Sequence, residues 1–304
     1  MKNFKGRTAV ITGAASGFGL EACRIAARER MNIVMADVQA DALERAAAEI
    51  RGLGADVLAI RVDVSQAHEV DALGEATVKR WGAPHFVFNN AGVGIGGLIW
   101  EHSAADWAWV LGVNVMGVAH GVRVFTPLML AAAKADAAYE GHIVNTASMA
   151  GLVNPPNMGA SNVSKHAVVS LSETLYQDLA LVSEQVSASV LCPFFVPTGI
   201  HDSHRNRPAP TTADTHDPPT RSQRVARAMT GKAVGSGKVS AADVAALVFD
   251  ALREKRFYIY SHPKALASVQ LRMEDVLQAR NPSDPFAGKP EIGAELRAAL
   301  RSEG

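Results

Sequence analysis

Six short runs rich in β-branched and apolar residues, at positions 8–12, 32–36, 57–62, 86–89, 142–145 and 186–191, alternate with amphipathic helical stretches. This alternation restricts the fold more than any other property of the chain. The runs are apolar on both faces, as strands covered on both sides must be, and strands joined through helices pair in parallel. The pattern therefore predicts an α/β fold with a doubly wound parallel sheet. A seventh run, 257–260, follows a helix whose start is marked by Ser240 with Asp243 three residues on, an N-cap arrangement, and brings the sheet to about seven strands.

With 304 residues, 48% of them hydrophobic and 20% charged, one large core can form without a disulfide or metal. Cys23 and Cys192 sit far apart in apolar runs, which predicts buried thiols and a cytoplasmic protein. Basic and acidic residues number 30 each, so no overall field draws the chain to nucleic acid or an acidic membrane surface, and a small neutral ligand is expected. The first seven residues lack the apolar segment of a signal peptide, and no later stretch is expected to reach membrane-spanning length.

One segment breaks the rhythm. Residues 201–237 are polar, carry Pro208, Pro210, Pro218 and Pro219, and end in Gly235-Ser236-Gly237, which predicts a long mobile substrate loop or lid beyond the sixth strand. The chain thus divides into a domain over 1–261, containing this loop, and a C-terminal helical extension over 262–304 with helical patterns at 265–279 and 292–300.

Gly13, Gly17 and Gly19 follow the first strand and open the first helix, where glycine lets a backbone approach a pyrophosphate at the helix N-terminus. Asp37 ends the second strand, placed to accept hydrogen bonds from ribose hydroxyls. Neither Ala14-Ala15 nor Val38-Gln39 offers a cation for a 2′-phosphate, so the expected cofactor is NAD rather than NADP.

Thr12-Gly13-Ala14-Ala15-Ser16-Gly17-Phe18-Gly19, Asn89-Asn90-Ala91-Gly92, and Ser148 with Lys165 seventeen residues later together resemble the classical short-chain dehydrogenase/reductase family, from about Phe4 to Tyr260. The resemblance implies a Rossmann-like fold and an NAD-dependent alcohol dehydrogenase or ketone reductase. It implies a cofactor site of Thr12, Gly13, Ser16, Gly17, Phe18, Gly19 and Asp37, with Asp63 and Val64 at the adenine. Asn90, Ala91, Gly92, Lys165, Pro193, Val196 and Thr198 belong to the nicotinamide half. Ile95, Met149, Asn154, Phe194, Phe195 and Ile200 would line an apolar substrate pocket suited to a neutral, bulky or aromatic alcohol and ketone pair. The helices after Asn114 and Ser161 imply a homodimer or homotetramer.

The catalytic set implied is Asn114, Ser148, Lys165 and a tyrosine, but the tyrosine position holds Ser161. Ser161 and Lys165 share a helix face. A phenol titrates near 10 and can be lowered by an ammonium, whereas a serine hydroxyl is a far weaker acid and its oxygen stops roughly 4 Å short, beyond the ~3 Å reach of direct proton transfer. Loss of such a group typically lowers rates ~10²- to 10⁴-fold, so strongly reduced turnover is expected. The alternative is a non-catalytic NAD-binding regulatory or assembly protein. His166 and Tyr176 are poorly placed to substitute, and His201 with His204 lacks further ligands, so no metal site is expected.

Overall fold

The computed structural model describes residues 1–208 and 218–301. Seven parallel strands form one sheet in the order β3-β2-β1-β4-β5-β6-β7. They are β1 (Thr8–Thr12), β2 (Asn32–Asp37), β3 (Val57–Arg61), β4 (Phe86–Asn89), β5 (Gly141–Thr146), β6 (Val186–Cys192) and β7 (Tyr258–Tyr260). The interleaved helices are α1 (Gly17–Arg28), α2 (Ala40–Gly52), α3 (Ala67–Trp81), α4 (Ala104–Leu111), α5 (Gly117–Ala135), α6 (Gly159–Val182), α7 (Arg221–Gly235) and α8 (Ala241–Glu254). Two more, α9 (Leu266–Leu277) and α10 (Pro290–Arg301), follow β7. The sheet is the doubly wound Rossmann-like arrangement expected.

Side chains alternate across each strand, and the core divides accordingly. Ala9, Ile11, Ile33, Met35, Phe86 and Phe88 pack under α1, α2 and α8, while Val10, Val34, Val87 and Ile143 face α3, α5 and α6. Because β1 pairs with β2 on one side and β4 on the other, the chain reverses its winding at β1 and opens a crevice at the carboxyl ends of these strands. The expected N-cap of α8 is present: Ser240 Oγ accepts from Asp243 N at 3.1 Å, and the Asp243 carboxylate accepts from Ser240 N at 2.9 Å.

Two expectations are corrected. The segment 201–237 is not one irregular loop: Gly199–Asn206 forms 3-10 turns and α7 fills its second half, while 209–217 lies outside the described residues. The sequence carries no apolar stripe for this helix because its buried positions include small residues, Ser222 and Ala226, and its start is a Thr220–Gln223 capping box rather than an apolar repeat. Likewise, α4 and α5 join through a π turn at Gly112–Met116 into one helical run, Ala104–Ala135, long and apolar enough in length and composition to cross a membrane. Here Val118, Gly121, Phe125 and Met129 are buried in the domain.

Candidate functional site

The crevice at the end of β1 is built for close backbone approach. Gly13 takes φ +64°, and a Cβ on Gly19 would lie 2.1 Å from Gly13 O, so the first turn of α1 can sit against the loop only with glycine there. Ser16 leaves the N-terminus of α1 without a side-chain cap, so its first amides point toward the cavity that Gly13, Ser16, Gly17 and Phe18 line. Asp37 is fixed at the same cavity by two backbone amides, accepting from Ala15 N and Gln39 N at 3.0 Å each. Glycine cradle, free helix amides and an anchored carboxylate together fit a dinucleotide. Asp63 lies farther along the cavity, where its carboxylate caps a turn by accepting from Ser65 N and Oγ, and Val64 packs against Gly117.

Three residues assigned to the site from sequence do not line this cavity. Thr12 is buried beneath it, its hydroxyl accepting from Asn90 N at 2.9 Å and Ala91 N at 3.0 Å and thereby tying the two loops together. Gly19 lies under the Gly13 turn. Asn114, 1% exposed on the π turn, accepts from Val93 N at 2.9 Å and donates to Val93 O and Ser164 Oγ at 3.0 Å each. It holds the loop after β4 from behind.

That loop is stitched by side chains from four separate elements. Besides Asn114 on Val93, Ser203 both accepts from Gly94 N at 2.9 Å and donates to Gly94 O at 3.0 Å. Ser161 on α6 does the same at Ile95, accepting from N at 3.0 Å and donating to O at 2.7 Å. Ser222 on α7 accepts from Leu98 N at 2.8 Å and donates to the Glu101 carboxylate at 2.7 Å, which also accepts from Thr220. These bonds hold the Glu101 carboxyl below its ordinary range. The helix rests directly on the loop, since a Cβ on Gly96 would meet Ala226 Cβ at 2.4 Å. Ser203, Ser222 and Glu101 were not singled out from sequence; lone polar residues in a polar segment carry no periodic signal.

Ser148, Ser161 and Lys165 line the cavity together. Ser148, at the end of β5, donates to Pro193 O at 3.2 Å and accepts from Ala150 N at 3.1 Å. Lys165 projects from α6 under the loop and donates to Thr146 O at 2.9 Å. Burial without a carboxylate partner lowers its pKa to about 8. The neighbouring Cys192 thiol is buried and pushed up to about 12, so it stays neutral. Cys192 and Cys23 are both free and buried.

Asn90, Ala91, Gly92, Pro193, Val196 and Thr198 border the same cavity, as do the expected substrate residues Ile95, Met149, Asn154, Phe194, Phe195 and Ile200. Phe194 packs edge-on against Phe195 with centroids 4.8 Å apart. The cavity does not stop there. It runs on between α7, α9 and α10, so the C-terminal extension is part of its wall, a role that amphipathic helices in a tail do not disclose in sequence.

Known proteins are similar to this chain. A short chain dehydrogenase/reductase from Burkholderia phymatum, whose structure is a complex with NAD, superposes with a TM-score of 0.90 at 53% identity, covering 94% of this chain and 100% of that one. The CLA biosynthesis dehydrogenase/reductase of Lactiplantibacillus plantarum is 32% identical over 278 residues, 91% of this chain and 95% of its own. The 1-deoxy-11-beta-hydroxypentalenate dehydrogenase of Streptomyces exfoliatus is 34% identical over 272 residues, 89% and 88% of the two chains. Residues 7–209 match the short chain dehydrogenase family, and on these grounds the chain belongs to that family of NAD(P)-binding oxidoreductases.

Proposed function

We propose that the protein interconverts a secondary alcohol and its ketone with NAD, at a rate well below that of a family member with a phenol at position 161. The observation that carries this reading is the pair of bonds between Ser161 and the Ile95 backbone. A hydroxyl that accepts from one amide and donates to the adjoining carbonyl is committed, and it neither ionises near neutrality nor passes a proton onward.

A bound nicotinamide supplies or takes up the hydride. Gly13, Gly17 and the N-terminus of α1 would hold its pyrophosphate, and the Asp37 carboxylate would accept from the ribose hydroxyls while repelling a 2′-phosphate. Ser148 is free to turn from Pro193 O and donate to the substrate oxygen, orienting the carbonyl. Lys165, its pKa lowered to about 8 by burial, holds the transferable proton and passes it to that oxygen through water. Ile95, Met149 and Phe194 give the reacting carbon an apolar surround. Relatives named as dehydrogenases support alcohol and carbonyl chemistry.

A second reading, a nucleotide-binding protein without turnover, is favoured by the same Ser161 bonds, which make the serine a fitted part of the loop. We infer a cytoplasmic protein from its buried free thiols, and a dimer or tetramer from the outward apolar residues Met116 of the π turn and Val163, Leu181 and Val182 of α6. The deciding experiment follows NADH oxidation by the chain and by Ser161→Tyr against aryl and cyclic ketones, with NAD binding measured separately. A gain of at least ~10²-fold in the tyrosine form supports the dehydrogenase. Equal NAD binding with no turnover by either form supports the binding protein.

A further inference from the structure

The cavity that holds Ser148 and Lys165 encloses about 2390 Å³. Single-ligand sites typically span roughly 300–1,000 Å³, and the walls of this cavity extend beyond the glycine turn to α7, α9 and α10. The two ends are joined by a short, rigid series of contacts. Ser148 donates to Pro193 O; the next residue, Phe194, donates its amide to Ser261 Oγ at 2.9 Å and packs against the His262 ring at 5.7 Å. Lys264 follows two residues later, and Ser268 and Arg272 come at successive turns of α9 on the face that lines the cavity.

The charges along this outer stretch are unequal. Its acids have partners: Asp275 accepts from Arg280 at 3.0 Å and from Ser283, Glu295 pairs with Lys232 at 3.8 Å, and Asp284 accepts from Phe286 N at 2.9 Å. Lys264 and Arg272 line the same wall, and neither takes part in a hydrogen bond or ion pair among the described residues. The same cavity also exposes apolar side chains: Phe194 is 44% exposed, Ile200 37% and Leu271 39%. A cavity that holds Ser148 and Lys165, exposes apolar side chains, and carries the unpaired cations Lys264 and Arg272, with Lys238 and Lys289 also in its lining, matches a ligand that is apolar along its length and anionic at its far end.

We propose that the substrate is an elongated apolar alcohol or ketone carrying a terminal anion, a carboxylate or phosphate ester, which Lys264 and Arg272 bind while the reacting carbon lies at Ser148. This rests on the reading of the site as an alcohol and ketone centre, and it revises the expectation of a wholly neutral substrate: the reacting end is neutral, the distal end is not.

The test measures binding to the NADH-loaded protein by calorimetry, so that it does not depend on turnover. The probes are medium-chain keto acids, their methyl esters, and phosphate monoesters of the matching hydroxyketones. The acid or the phosphate is expected to bind about tenfold or more tighter than the ester, the tighter of the two identifying the anion. In Lys264→Gln/Arg272→Gln that preference falls to within about twofold while ester binding is unchanged. Equal binding of all three probes overturns the proposal, as does an anion preference that survives in the double variant. Ketone turnover by the Ser161→Tyr form, assayed in parallel with the esters, judges the alcohol and ketone reading on its own. A neutral ester that is reduced without any anion preference would leave that reading standing and this proposal refuted.

Discussion

Ser161 Oγ and the backbone of Ile95 are bonded twice, the oxygen accepting from the amide at 3.0 Å and donating to the carbonyl at 2.7 Å. The serine therefore bridges α6 to the loop that forms the floor of the substrate cavity. Ser161→Ala leaves an amide and a carbonyl at a site only 7% exposed without these partners, a cost of about 1–3 kcal/mol. The expected result is a lower urea midpoint with an unchanged m-value, and Ser161→Thr, which keeps the hydroxyl, should recover most of the loss. An alanine variant as stable as the parent would show that the two bonds contribute nothing net.

Lys165 carries a pH signature. Burial lowers its pKa from 10.5 to about 8, so between those values the unfolded chain binds more protons and stability rises with pH. Below about pH 8 the ammonium is charged in both states, and its desolvation weighs fully against folding. Lys165→Met should be more stable than the parent at neutral pH, by on the order of 1–3 kcal/mol, and that advantage should shrink as pH rises through the window. Chemical denaturation at a series of pH values measures this. Ketone reduction, which needs the protonated amine, should decline above about pH 8.

The sheet is legible because its inner strands are buried on both faces, so composition alone marks them; β1 and β4 fall on the residues expected, and β5 gains one residue at each end. Ser148 and Lys165 were legible because their spacing is tied to a strand end and a helix. What sequence did not disclose is the direction of side chains whose partner is backbone. Asn114, which reads as an active-site residue, is bonded to the Val93 backbone, and the hydroxyl of Ser161, which reads as a truncated acid, is bonded to Ile95. α7 was missed because it docks through Ser222 and Ala226, small residues that make no apolar stripe.

Asp37 tests cofactor choice. Its two oxygens accept from Ala15 N and Gln39 N, so removing the side chain would disturb the glycine turn as well as the charge. Asp37→Asn is the cleaner change, since one oxygen remains to accept while the charge is lost. The preference for NAD over NADP, read as the ratio of dissociation constants by NADH and NADPH fluorescence, should fall about tenfold or more, mainly by better binding of NADPH. An unaltered ratio would remove Asp37 from cofactor discrimination.

Glu101 fastens α7 over the cavity. Its carboxylate accepts from both Thr220 and Ser222, and Ser222 in turn accepts from Leu98 N, so one acid aligns the first turn of the helix with the loop below it. Glu101→Ala removes two charge-assisted bonds, each worth about 1.5–3 kcal/mol locally, while the Ala226 contact with Gly96 and the Ser203 bonds to Gly94 remain. The helix should then open more often without global unfolding. Limited proteolysis at Arg221 and Arg224 should speed up several-fold, and amides at the start of α7 should exchange faster, with the urea midpoint changed little. Because the charged carboxylate is the acceptor in both bonds, acidification should reproduce the effect in the parent protein: its pKa is held below the ordinary 4.5, so the latch persists down to that point and is lost as pH falls through it. Cleavage in Glu101→Ala that is fast and independent of pH, beside cleavage in the parent that rises only below about pH 4.5, identifies Glu101 as the latch; identical profiles would assign the ordering of α7 to its other contacts.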